Sequence, residues 1–170
     1  NEKRQQGKHH RTMKNTILIR RDELQQQIDL RNFYMGESAK RKELNADTIQ
    51  SCKDDEELLF MFARQACNEL VTAVALRFPS ISYSIDNSYV MLEFDTAGKS
   101  REHLLPILKQ AVNDYIVNEM TLQWLLLREP KMAESYIALR STLYDNVQML
   151  LAKFYNSTRI RRRATDLAGI

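Results

Sequence analysis

The residues of this chain that could do chemistry beyond packing are few and scattered. His9 and His10 are adjacent and His103 is remote. Metal sites need further ligands at defined spacing, and Cys52 and Cys67 form no C-x-x-C pair. The histidines therefore read as solvated, with no metal and no cofactor expected. Cys67 sits among Ala63, Ala66, Leu70 and Val71, where a cysteine is usually a small buried hydrophobe rather than a nucleophile. The run Asp54-Asp55-Glu56-Glu57 opens a helical pattern, and the positive end of the helix dipole is reason enough for it. Phosphate-loop, nucleophile-elbow, zinc-protease and EF-hand patterns are all absent. No catalytic residue is assigned, and the chain reads as a non-enzyme.

Charge is the stronger signal. In residues 1–21, Lys3, Arg4, Lys8, Arg11, Lys14, Arg20 and Arg21 stand against Glu2, a sum of +6. In residues 153–170, Lys153, Arg159, Arg161, Arg162 and Arg163 stand against Asp166, a sum of +4. With a net charge of +3, the body between them carries −7. Basic ends on an acidic body can pair with phosphates, with an acidic partner or with another copy of the chain. Arg159, Arg161, Arg162 and Arg163 are the expected docking residues. They lack the interleaved aromatics that stack on bases.

The elements that must position these groups follow from periodicity. The chain has 170 residues, 44% of them apolar, with four Gly and three Pro. One domain with a substantial core is expected, and a loop-rich sandwich or a glycine-rich nucleotide fold is not. Thr16–Ile19 predicts a short strand or arm. Residues 21–27 permit a helix, 28–34 alternate weakly, Gly36 reads as a break, and 37–50 read as a polar linker. Residues 54–78 predict a helix capped from Ser51 and closed by Pro79. Ile81–Ile85 alternates at period two, Tyr89–Phe94 is a second β-type run, and Asp86-Asn87-Ser88 between them favours a turn, predicting a hairpin. A second helix starts near His103 and runs to the break at Arg128-Glu129-Pro130. A third spans roughly 130–156, with apolar residues every three or four positions. The expected fold is α+β and mostly α: three long helices in a bundle, one hairpin between the first and second, and a short N-terminal strand. The organisation expected is a basic extension over 1–13, an arm over 14–50, a helical core over 51–157 with its hairpin at 80–95, and a basic tail over 158–170. Trp124, Leu125, Leu126 and Tyr115 lie on an apolar face that is broad enough to serve the core or an oligomer contact.

No apolar run is long enough to span a bilayer, and the basic start lacks the apolar stretch of a signal peptide. An intracellular origin is expected. Met13-Lys14-Asn15 would make a natural start site, with residues 1–12 an extension.

Lys109-Gln110-Ala111-Val112, Tyr115-Ile116-Val117 and Gln123-Trp124-Leu125 together resemble the penultimate helix of small connector proteins of tailed bacteriophages. The helix from Pro130 and the basic tail Arg159–Arg163 are similar to the ends of such proteins from phages of gut bacteria. The order of elements is similar over most of 14–163, while residues 1–12 have no counterpart. The resemblance implies a virion structural protein at the head–tail neck, assembled in the host cytoplasm. It would form a homo-oligomeric ring, bind the portal and other neck or tail proteins, and let DNA pass without sequence-specific contact. A second reading is a small helical module that binds nucleic acid through its basic ends.

The tail lies beyond the last apolar helical repeat, so truncation after Tyr155 should change folding stability by no more than about 0.5 kcal/mol. Partner capture should weaken far more, because several charge-assisted contacts vanish together. Thermal melting beside a pull-down checks both halves.

Overall fold

The computed structural model describes residues 12–41, 49–97 and 101–155. They form an α+β, mostly helical fold in the order β1 (Thr12–Arg20), α1 (Arg21–Arg41), α2 (Glu56–Ala75), β2 (Ser82–Ile85), β3 (Tyr89–Ala97), α3 (Leu105–Arg128) and α4 (Glu134–Tyr155). Short 3-10 turns precede α2, α3 and α4. The basic tail, the N-terminal extension to residue 11 and residues 42–48 of the expected linker lie outside the described residues.

The three strands form one antiparallel sheet in the order β1-β3-β2. The hairpin folds as expected, turning tightly over Asn87 and Ser88. Asp86 holds the turn: its Oδ1 accepts the N–H groups of Ser88 at 2.6 Å and Tyr89 at 2.7 Å. Those bonds keep the Asp86 carboxyl below its ordinary pKa. The N-terminal strand is longer than the apolar run Thr16–Ile19, because polar residues extend it. Asn15 is buried and donates to Thr96 Oγ1 at 3.0 Å and to the Met13 carbonyl at 3.1 Å. A satisfied buried amide of this kind penalises a shifted register.

β1 pairs with β3 over nine residues without a bulge, from Thr12 opposite Ala97 to Arg20 opposite Tyr89. Next along, Arg21 donates its N–H to the Ser88 carbonyl at 2.9 Å. Antiparallel ladders alternate, so the exchanging pairs recur at Ile19, Ile17, Asn15 and Met13. Residues 12, 14, 16 and 18 turn their backbone groups toward the outer edge, as does the Arg20 N–H, while the Arg20 carbonyl opens α1.

Residues 21–41 correct the sequence reading. They form one continuous helix, a fourth, where an arm and a polar linker were expected. Leu24, Ile28, Met35 and Ala39 are buried along one side. A single Gly costs a helix only about 1 kcal/mol against Ala, and Gly36 sits buried within α1 rather than ending it. Ser51 does not cap α2. Its hydroxyl donates to Asp29 Oδ1 at 2.6 Å and accepts from Asn32 Nδ2 at 3.1 Å, fastening α1 to the start of α2. Cys52 instead caps the 3-10 turn before α2, its N–H donating to Asp55 Oδ2 at 2.9 Å, and Asp55 stands at the N-cap position of α2 itself. Pro130 opens a 3-10 turn, and α4 itself begins at Glu134.

α3 is the central element. From Leu108 to Leu125 it is buried on almost every side. α4 returns antiparallel beside it, α2 packs on another flank, and α1 and β1 complete the surround. The C-terminal end of α4 reaches the sheet, where Phe94 meets Phe154 edge to face at 5.3 Å. Phe78 and Tyr155 pack with centroids 4.5 Å apart and their planes tilted by 38°, and the Tyr155 hydroxyl lies 2.9 Å from Ser80 Oγ.

Phe94→Ala should lower stability by roughly 3–5 kcal/mol, because it opens a cavity at the joint between sheet and α4. Urea unfolding followed by circular dichroism measures that loss.

Candidate functional site

The residues singled out from sequence go to different places. Trp124 and Leu125 are fully buried and Tyr115 nearly so, all against their own chain. Leu126 is 44% exposed and faces away from that core. Arg159, Arg161, Arg162 and Arg163 lie outside the described residues. The expected patch is therefore divided by helix geometry, since consecutive residues on α3 point about 100° apart.

Trp124 anchors a polar chain. Its indole Nε1–H donates to the Ile49 carbonyl at 2.7 Å. The Arg128 guanidinium lies 4.6 Å from the ring centroid and pairs with Asp55 Oδ1 at 3.2 Å. The acidic run at the start of α2 thus does two jobs: Asp55 caps the turn, and it holds the end of α3. Asp55 is held below its ordinary pKa, first by the Cys52 N–H and then by Arg128.

A second cluster joins three helices. Glu119 of α3 is 2% exposed, and Arg140 of α4 approaches it with Nε 3.0 Å from Oε1. The contact is an ion pair rather than an aligned hydrogen bond. Arg140 also pairs through Nη2 with Glu69 Oε2 on α2. Burial raises the Glu119 carboxyl above its ordinary range, opposed by Arg140. Burial likewise pushes the Tyr115 hydroxyl up to about 12. A shallow cavity of about 290 Å³ opens beside the cluster, lined by Tyr115, Tyr144, Ile137 and Ser141 among others. Arg140 already spends its charge on two carboxylates, so the cluster is arranged to clamp α2, α3 and α4 rather than to activate a nucleophile. Cys67 is buried, and desolvation pushes its thiol up to about 12, which keeps it protonated at neutral pH. Among the described residues, no group of three or more His, Cys, Asp or Glu is placed to hold a metal ion, and no helix is long and apolar enough to cross a membrane.

The feature most suited to a partner is on α1. Leu30, Phe33 and Tyr34 follow the i, i+3, i+4 spacing of one helix face and are 56%, 51% and 64% exposed. Beside them runs a groove of about 550 Å³ between α1 and the turn into α4. Tyr34, Met35, Met132 and Tyr136 line it, with Arg31 and Lys131 among its walls. The sequence reading missed this face because it assigned the segment to an arm. The spacing of Leu30, Phe33 and Tyr34 was the available signal. It missed the clamp because Glu69, Glu119 and Arg140 meet only once the helices pack.

No family model, no curated protein and no solved structure matches this chain.

Arg140→Met should cost roughly 2–3 kcal/mol, because it leaves Glu119 buried without its counter-charge. Adding Glu119→Gln should recover part of that loss in a double-mutant cycle. The sign of the pH effect follows from the raised Glu119 carboxyl. The folded state holds the proton to higher pH than the unfolded chain, so stability falls as pH rises from the ordinary glutamate range through the folded value. Glu119→Gln should flatten that part of the pH–stability curve, measured by thermal melting across mildly acidic buffers.

Proposed function

We propose that this chain is a non-enzymatic assembly protein, a subunit of a head–tail connector ring of a tailed bacteriophage. In this role it joins portal to tail in the virion neck while DNA passes through the lumen. The observation that carries the assembly reading is the exposed stripe Leu30, Phe33 and Tyr34 beside the α1 groove. Three large apolar side chains on one helix face, with a groove alongside, are suited to burial by another protein. The connector identity rests on the resemblance of Lys109–Leu125 to the penultimate helix of such proteins, and of the helix from Pro130 and the run Arg159–Arg163 to their ends.

Charge suggests how copies meet. Arg31 and Lys131 flank the groove against a single carboxylate, Glu134, so its lining is positive by one charge. Asp54, Glu56 and Glu57 at the start of α2 are exposed. A head-to-tail contact, groove of one copy to acidic turn of the next, uses two different surfaces and so generates a ring when its rotation closes. The basic tail would add contacts to the portal or to a sister subunit, with many weak contacts summed around the ring. The acidic body suits a lumen along which DNA slides, since like charges repel.

Size-exclusion chromatography with light scattering tests the reading. The wild-type chain is expected as a discrete multi-subunit species that binds DNA weakly. Leu30→Ser, Phe33→Ser and Tyr34→Ser together should dissolve that species while leaving the helical signal unchanged. A chain that does not assemble but binds DNA with an affinity falling steeply with salt would replace this reading with the nucleic-acid-binding module.

A further inference from the structure

The outer edge of β1 is the other surface built for a partner, and it does not depend on the connector reading. Residues 12, 14, 16 and 18 turn their backbone N–H and C=O groups away from β3, and none of the described strands pairs with them; at Arg20 the carbonyl opens α1 and only the N–H is left for the edge. The strand is nine residues long, continuous in register, and free of proline and bulge. Natural edges usually carry such guards. Its one central charge, Lys14, is drawn across the sheet onto Glu93 at 2.7 Å. Leu18 is 44% exposed on the same face. Along the edge runs a cleft of about 370 Å³, walled by Thr16, Leu18 and the start of α3 at Glu102, Leu105, Pro106 and Lys109.

We infer that this edge pairs with the β1 edge of a second copy, antiparallel about a two-fold axis at Thr16, to give one six-stranded sheet. Charge selects the register. Centred on Thr16, Lys14 faces the partner's Leu18 and Arg20 faces the partner's Thr12, so no cation opposes a cation. All nine residues then pair. A slip by one step of the outward residues in one direction would set Lys14 against the partner's Arg20, which opposes like charges directly, and in the other direction would leave Ile19 and Arg20 beyond the paired stretch. The two-fold also reverses the rim of the cleft. Glu102, in the 3-10 turn before α3, and Lys109, on the second turn of α3, lie seven residues apart along that rim, so the acidic end of one rim approaches the basic end of the other. Leu18 would cover the aliphatic stem of the partner's Lys14. Such a contact uses the same patch on both copies and closes at two. It is therefore separate from a head-to-tail contact through α1.

The test uses the full chain carrying the three α1 serine substitutions, so that assembly through α1 does not contribute. Cys52→Ser removes the exposed thiol. Thr16→Cys in this background should cross-link under mild oxidation to a single species of twice the chain mass, with no higher ladder. Directly opposed residues in an exchanging antiparallel pair have Cα atoms about 5.5 Å apart, within disulfide reach. Leu18→Lys sets like charges against the partner's Lys14 and should weaken self-association about tenfold. Thr16→Pro removes only an outward N–H, so it should abolish pairing while its own sheet survives. If Thr16→Pro fails to fold, the exposed Leu18→Lys substitution decides. A Thr16→Cys chain that does not cross-link, or a dimer that Leu18→Lys leaves unchanged with melting intact, overturns the inference.

Discussion

Burial of α3 on nearly every side is the constraint from which the rest of this fold follows. A helix with one apolar stripe needs one neighbour, whereas a helix apolar almost all round must be wrapped. Here α1, α2, α4 and β1 each take a share of that surface. The wrapping brings Asn113, Asn118, Glu119 and Thr121 into the interior along with the apolar residues. Three of them take a partner from the surrounding elements, and Thr121 bonds within α3. Asn113 donates to Gln27 on α1 at 3.0 Å, and Asn118 donates to the Tyr136 carbonyl on α4 at 3.2 Å. Thr121 turns back to the Val117 carbonyl at 2.7 Å, and Glu119 takes Arg140. Polar residues on the central helix thus fix which neighbour lies where, while apolar burial supplies the driving force.

How much of this is legible in the sequence depends on whether an element's pattern is set by the element alone. The hairpin was readable because Ile81–Ile85 alternates, Tyr89–Phe94 is rich in strand-forming residues, and Asp86-Asn87-Ser88 favours a turn. α3 and α4 were readable because their apolar residues recur at helical spacing and a proline separates them. α1 was obscured. Its buried stripe carries Asn32 among Leu24, Ile28, Met35 and Ala39, and its outward face carries Leu30, Phe33 and Tyr34. The two patterns overlap into what looks like weak alternation. β1 was seen only at its apolar centre, because the burial of Asn15 depends on Thr96 from a strand 81 residues away. The candidate surfaces divide in the same way. Trp124 stood out by type, while the α1 groove exists only where two distant segments meet.

The charged groups also show how placement decides the use of a side chain. Arg128 and Arg140 are both helical arginines paired with carboxylates. Arg128 lies over an indole ring near the surface and holds a turn. Arg140 reaches from the surface to a buried glutamate and ties three helices. Exposed pairs such as Lys40 with Glu37 contribute little by comparison. The asymmetry matters for assembly, because the charges committed to the fold are unavailable to a partner, while those along the α1 groove remain at the surface.

Trp124 is the single tryptophan of the chain, fully buried, and tied at once to the segment at Ile49 and to Arg128. It is therefore a built-in optical reporter. Its emission wavelength reads the dryness of the joint between α3 and the segment before α2. Because Arg128 and Asp55 sit on its outer side, an event that pulls the start of α2 away would register in the indole before the helices themselves separate.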